Sequence, residues 1–270
     1  MTLWREADLP DGLEILRASC FDHRYPAHFH DEFVFAAFAR GAQRHRIARF
    51  EGVAEAGTLM VIPPGEVHTG EAVERSRGWD YCAFYPSARF VEAIADEVLG
   101  GSGPVDFQGE VLRHDPELAR HLLEASAAIG ASGDVLTRQC AAYAAFGAVI
   151  ARYGERPSGR RRAEAADTAM GQAIAFLEAH HGEPIGVNAV AETVGLSPYH
   201  FMRSFRAKTG LSVHRYLTQI RLNHAKALLL RGESAAEVAL GAGFFDQSHL
   251  INQFRAQFGV TPGAFVAASR

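Results

Sequence analysis

The pattern of apolar and polar positions changes character twice along the chain. Between residues 20 and 85, the runs FVFAAFA, HRIARF, TLMVIP and WDYCAFY are rich in aromatic and β-branched residues. Gly41, Gly52, Gly57, Pro63-Pro64-Gly65 and Gly78 punctuate them. Short β-prone runs between such turn residues predict an antiparallel sandwich or barrel. After Pro86 the apolar residues fall at helical spacing in SARFVEAIADEVLG, DPELARHLLEASAAIG and DVLTRQCAAYAAFGAVIARYG, which predicts helices packed on the sheet. Residues 154–167, GERPSGRRRAEAAD, carry no apolar periodicity and are rich in Gly, Pro, Ser and Arg. They read as a linker. From Thr168 onward the spacing is helical throughout. The expected organisation is a β-barrel with packed helices over 1–153, a linker over 154–167 and an all-α domain over 168–270.

The helical part contains a repeat. VNAVAETVGLSPYHFMRSFRAKTG (187–210) and SAAEVALGAGFFDQSHLINQFRAQFG (234–259) align Ala191 with Ala239 and Gly195 with Gly243, each 48 apart. Phe201 aligns with Leu250, Phe205 with Phe254 and Gly210 with Gly259, each 49 apart, so the second copy has one extra residue in its turn. Each copy meets the steric demands of a helix-turn-helix. A small residue lets two helices cross closely, and a glycine four residues later permits the positive φ of a tight turn. Ser197-Pro198 and Asp246 are helix starts, and Ser234 with Glu237 forms a capping box. With Phe201, Phe205, Leu250 and Phe254 facing inward, the outer faces hold Tyr199, Met202, Arg203 and Arg206 in one copy. In the other they hold Gln247, His249, Asn252, Gln253 and Arg255. Residues 212–231 read as one amphipathic helix between the copies. About 20 residues span roughly 30 Å, near the ~34 Å between successive major grooves on one face of DNA.

Charge changes this picture little but in the same direction. Residues 1–167 hold 18 Lys and Arg against 25 Asp and Glu, while residues 168–270 hold 9 against 6. A slightly basic C-terminal part suits an anionic partner at that end. Cys20, Cys82 and Cys140 show no CxxC spacing, which argues against a zinc ribbon and fits a reducing cytoplasm. No apolar run reaches the ~18 residues of a membrane span, and the N-terminus lacks the pattern of a secretory signal.

Residues 174–266 resemble the AraC/XylS family of bacterial transcription regulators, through VAETVGLSPYHFMRSFRAKTGLSVHRYL, QIRLNHAKALLLRG, EVALGAGFFDQSHL and FRAQFGVTP. The resemblance implies sequence-specific binding of double-stranded DNA. By position it points Tyr199, Met202 and Arg203 at bases in one site, and Gln247, His249 and Asn252 in the other. Asn252 stands where the family usually has Arg, which implies a weaker second reader. Val213 stands where the family often has Pro. The family also implies a homodimer and, for an activator, RNA polymerase as a partner.

The β region has its own pattern: His28-x-His30, then Val34 and Gly41, and later Gly57 and Pro63-x-Gly65-x-x-His68 followed by Ala72. This resembles the two motifs of the cupin barrel, in which two histidines, a glutamate and a third histidine converge on a metal. Val34 stands at the glutamate position. Three readings are open: His28, His30 and His68 bind a metal, or they hydrogen-bond an organic effector in a pocket, or they are packing residues. Val34 cannot coordinate and counts against the metal. The expectation is therefore a small-molecule effector pocket with no cofactor. Alternation on the strands suggests Phe33, Phe35, His45, Met60, Ile62, Trp79 and Tyr81 as its lining beside the three histidines. The function expected is an effector-responsive DNA-binding regulator that is not an enzyme. The alternative is a metal-dependent cupin enzyme carrying a DNA-binding tail.

Overall fold

A computed structural model of the protein describes residues 1–47, 50–107, 109–131, 134–156 and 169–269, except for the side chain of Tyr199. Two compact units emerge, one built on the elements before residue 157 and one on the helices that follow.

The first unit is an antiparallel sheet with helices on one face. Its strands are β1 (Thr2–Glu6), β2 (Leu13–Cys20), β3 (Arg24–His28), β4 (Val34–Ile47), β5 (Phe50–Glu55), β6 (Thr58–Ile62), β7 (His68–Ala72) and β8 (Trp79–Tyr85). The 14-residue β4 serves two layers. Its first half pairs with β6 and β8, and its second half pairs with β5 and β7. The main path runs β1-β2-β8-β4-β6-β10, where β10 is Leu112–His114, and β3 pairs with β7.

Because side chains alternate across a strand, each strand serves two environments. Phe35 and Ala37 on β4, with Cys82 and Phe84 on β8, face α1 (Ala88–Leu99), α2 (Pro116–Ala131) and α3 (Val135–Tyr153). Phe146 of α3 is the hub. Its ring lies 5.3 Å from Phe35, 5.4 Å from Phe84 and 5.8 Å from Phe90, in edge-to-face contacts. Each such buried ring contributes about 1.5–3 kcal/mol. The opposite face of the same strands turns toward the β3–β7 layer.

The sheet is larger than its sequence pattern predicts. β1 and all but the last residue of β2 precede residue 20, and β10 is too short to carry a periodicity. Gly154-Glu155, expected in the linker, form β11 instead and pair with β9 (Asp106–Phe107). Residues 157–167 of the expected linker lie outside the described residues.

The second unit is helical: α4 (Ala169–Ala179), α5 (Val187–Thr193), α6 (Pro198–Thr209), α7 (Val213–Leu230), α8 (Ala235–Gly241), α9 (Gln247–Phe258) and α10 (Pro262–Ala268). The two helix-turn-helix units are α5–α6 and α8–α9, joined by α7. At about 1.5 Å per residue its 18 residues span roughly 27 Å. Phe205 of α6 packs edge-on against Tyr216 near the start of α7, with ring centroids 5.3 Å apart. Lys226, near the other end of α7, lies 5.2 Å from the Phe258 ring of α9. The connecting helix thus grips one unit at each end.

Candidate functional site

Each second helix is started and stopped by the residues the sequence points to. The Ser197 hydroxyl accepts from the His200 N–H, with Pro198 in the first turn. The Asp246 carboxylate accepts from the His249 N–H at 2.7 Å. Gly210 and Gly259 close the two helices in the left-handed conformation, at φ of +76° and +74°. The turns before them pass through Gly195 and Gly243, at +65° and +78°. Ser234 and Glu237 make the reciprocal capping box. Phe201, Phe205, Leu250 and Phe254 are fully buried, which leaves the opposite faces of α6 and α9 to solvent. Met202, Arg203 and Arg206 are exposed on α6, as are Gln247, Asn252 and Arg255 on α9. His249 and Gln253 are half-buried, the first because its ring packs edge-on against Phe244 at 5.4 Å. The side chain of Tyr199 lies outside the described residues.

One exposed residue escaped the sequence pattern. Phe245, 87% exposed, immediately precedes the Asp246 cap of α9. A lone aromatic in a turn has no periodicity to mark it, and only its exposure singles it out.

In the first unit, pairing of β3 with β7 places His28 directly opposite His68. His30 follows two residues after β3. The three rings converge, with centroids 4.2 Å apart for His28 and His68, 4.9 Å for His28 and His30, and 5.3 Å for His30 and His68. All three are buried, and one ring nitrogen from each lies within 4.8 Å of the others. Nδ1 of His28 meets the Pro26 carbonyl at 2.6 Å, and Nδ1 of His68 meets the Glu66 carbonyl at 3.0 Å. A carbonyl only accepts, so Nδ1 carries a proton in both rings. Burial pushes His68 down to about 4 against the opposing pull of the Glu66 carbonyl. Burial, and then the neighbouring His68, push His45 down to about 3. Both are neutral imidazoles at pH 7.

A cavity of about 30 Å³ adjoins the cluster, and His45, Met60 and Tyr81 lie on its wall as the strand alternation suggests. Tyr25, Val34, Gln43, Ala83 and Tyr85 complete that wall. Phe33 and Phe35 do not reach it. They pack with Phe107 in the core beneath the helices, because β4 presents Val34 to the cavity and therefore Phe35 to the other side. Trp79 is fully buried beside Tyr81, and Ile62 is buried near the end of β6, both off the cavity wall. The register, which sequence leaves open, decides these placements. Once His45 is known to face inward, Gln43 must as well, two residues earlier on the same strand. The Tyr81 hydroxyl donates to that of Tyr25 at 2.8 Å, and burial pushes both well above the usual phenol range.

Comparison with known proteins joins these two halves. Residues 12–146 match the AraC-like ligand binding domain, and residues 190–268 match a helix-turn-helix domain. The chain belongs to the AraC family. It is a DNA-binding transcription regulator with a ligand-binding domain. The uncharacterized HTH-type transcriptional regulator YbfI of Bacillus subtilis is 28% identical over 239 residues, covering 88% of this chain and 86% of that one. The HTH-type transcriptional activator RhaS of Escherichia fergusonii is 35% identical over 100 residues, 37% of this chain and 36% of RhaS. Among solved structures, an apo form of a ToxT point variant from Vibrio cholerae aligns with a TM-score of 0.60 at 10% identity, over 96% of this chain and 97% of that one. Wild-type ToxT bound to an unsaturated fatty acid aligns at 0.58 and 11% identity, over 96% of each chain. The two ToxT structures show a shared fold at low sequence identity.

Proposed function

We propose that this AraC-family regulator reads double-stranded DNA through the exposed faces of α6 and α9, and that a small ligand at the histidine cavity of the first unit sets its affinity. The observation that carries the reading is the pairing of two capped helices on the one connecting helix α7. Each presents a polar outer face whose inner face is fully buried. Such helices enter successive major grooves, where Arg, Gln and Asn side chains read base edges.

Arg203 is the main specific contact, because a guanidinium bonds both acceptors of guanine. Met202, Arg206, Gln247, His249, Gln253 and Arg255 add base and phosphate contacts. The second helix reads more weakly, since Asn252 lacks the reach and charge of an arginine. Phe245 contributes an apolar contact beside it. Two chains pair on the DNA, and RNA polymerase is the partner where the protein activates. The work is done in the cytoplasm, at the nucleoid. Sensing and pairing fall to residues 1–153, residues 154–167 are the linker, and residues 168–270 are the reader.

Selection of bound DNA from a random pool by the full-length chain, with and without cell extract, tests this. Enrichment of two half-motifs about one helical turn, roughly 10 base pairs, apart is expected, with affinity altered by the extract. A pool that shows no enrichment overturns the reading.

A further inference from the structure

We infer that the helical unit carries a ligand site of its own, in which an apolar monocarboxylic acid seats between α4, α5, α6 and the start of α7 and masks Arg203 and Arg206 from DNA. This site shares no residue with the histidine cavity of the first unit. Only its effect on DNA rests on α6 being a reading helix.

The cavity between these four helices measures about 470 Å³. Organic ligand pockets run from about 300 to 1,000 Å³, whereas the histidine cavity measures about 30 Å³. Its floor is made by Leu177 of α4, Val190 of α5 and Leu217 of α7, all buried. Ile185, Val187 and Val213 are half-buried and form its walls. The short branched side chains at 187, 190 and 213 do not fill the space between the helices. Met202 stands at the edge, 45% exposed, with the flexible thioether chain that adapts to varied apolar shapes. Apolar surface in such a recess is disfavoured in water, and an apolar occupant relieves it.

The mouth has the opposite character. Arg203 and Arg206 stand one turn apart on α6, exposed, and His214 of α7 joins them on the lining. Among the described residues no Asp or Glu lines the cavity. Side chains three apart on a helix are neighbours, so both guanidiniums reach one carboxylate, and a guanidinium matches that group with paired N–H donors. The two halves of the site select the ligand together. A phosphate or a dicarboxylate satisfies the rim and leaves the floor in water, while a neutral apolar molecule leaves the guanidiniums without an anion. One acid group on a compact aliphatic body serves both. A DNA backbone meets only the rim, because it has no apolar body to reach Leu177 and Val190. Acid and DNA therefore compete for the same two arginines.

The test uses full-length protein and 3-cyclohexylpropanoate as the probe, with 3-cyclohexylpropanamide and acetate as controls at equal ionic strength. Calorimetry on DNA-free protein should show one molecule of the acid per chain and no binding of the amide or of acetate. The saturating acid should weaken the selected DNA about tenfold or more, and by linkage the DNA should weaken the acid by the same factor. Val187→Trp fills the cavity from its wall, so it should abolish acid binding and the acid response while leaving DNA affinity unchanged. Arg206→Ala should weaken the acid while keeping the fold, since its side chain is exposed. No acid binding by the wild type, or binding unchanged in both variants, overturns the inference. If Val187→Trp does not fold, Arg206→Ala decides. An acid that binds in the helical unit without moving DNA affinity overturns the masking. A wild type that binds the acid as described but no DNA sequence specifically upholds the site and removes the reader reading.

Discussion

Gly195 and Gly243 hold equivalent turns in the two helix-turn-helix units, yet only Gly243 is walled in. A Cβ at Gly195 meets nothing within 4 Å, whereas at Gly243 it would stand 2.9 Å from both the His181 carbonyl oxygen and Nε of Arg221. Arg221 donates to the His181 carbonyl at 2.7 Å and to the Glu183 carbonyl at 2.9 Å, tying α7 to the loop after α4. Both positions carry the cost of a left-handed alanine, ~1–2 kcal/mol. Gly243→Ala adds a clash that displaces Arg221, worth a further ~1–3 kcal/mol. Urea unfolding of residues 168–270 should therefore rank Gly243→Ala well below Gly195→Ala. Equal losses would contradict the asymmetry.

Asp115 should make the first unit sensitive to acid. Its buried carboxylate accepts from the Leu118 N–H at 3.1 Å, from Arg152 at 2.8 Å and from the Tyr153 hydroxyl at 2.9 Å, joining the start of α2 to the end of α3. Burial pushes the carboxyl up, but the Leu118 amide, Arg152 and Tyr153 outweigh it and hold it below its ordinary value of 3.8. A folded-state value below the unfolded one means that the stabilisation is present above that ordinary value. It is lost as pH falls through the folded value. Asp115→Asn should cost roughly 2 kcal/mol near neutrality, discounted for the partial exposure of Arg152. It should also flatten the pH dependence of the thermal midpoint below about pH 4. An unchanged acid limb would show that other carboxylates govern it.

The helical half was legible because its signals are local. A cap acts within three residues, a positive-φ glycine acts at its own position, and the repeat doubles each mark, so Ser197, Gly195, Asp246 and Gly243 all fell where expected. The barrel was legible in class but not in detail. Which face of β4 turns inward depends on pairing with β6, β7 and β8, a non-local fact, and so Phe33 and Phe35, expected on the cavity wall, lie in the core beneath the helices. The short β9, β10 and β11 had no signal, because two or three residues cannot display a period. The histidine spacing was visible, but the place of Gln43 and His45 on the same wall belongs to the folded chain alone.

Residues 168–270 should fold and bind DNA when expressed alone. The hydrophobic core of this part is built from its own helices, from Leu177 through Phe205 and Phe254 to Phe265. Binding should weaken steeply with salt, because Lys and Arg displace condensed counterions. For six or more neutralised phosphates the loss is roughly a thousandfold between 50 and 200 mM. A fragment that stays unfolded, with full-length protein required for any binding, would place the boundary elsewhere.

Arg203→Ala should cost ~1–3 kcal/mol at the selected site and relax preference at one base position. Arg206→Ala, one turn further along α6, is expected to lower specific and nonspecific affinity together, as a phosphate contact does. Gel-shift titrations on selected and scrambled DNA separate the two behaviours. If Arg203→Ala also lowers both equally, it contacts phosphate and does not read a base.

Phe245 gives the sharpest test of how α9 docks. An aromatic that is 87% exposed beside the first turn of a reading helix has no role in the core. In the major groove its natural counterpart is the C5-methyl of thymine, the one apolar group that a base pair presents there. Burying one methyl is worth about 0.8 kcal/mol, roughly a fourfold change in affinity. Replacing thymines of the selected site one at a time by uracil removes that methyl and nothing else. One such replacement should weaken wild-type binding about fourfold. Phe245→Ala should weaken binding to the thymine site by a similar factor and be indifferent to the same replacement. If the two changes instead multiply, the ring and the methyl do not meet, and α9 enters the groove in another orientation.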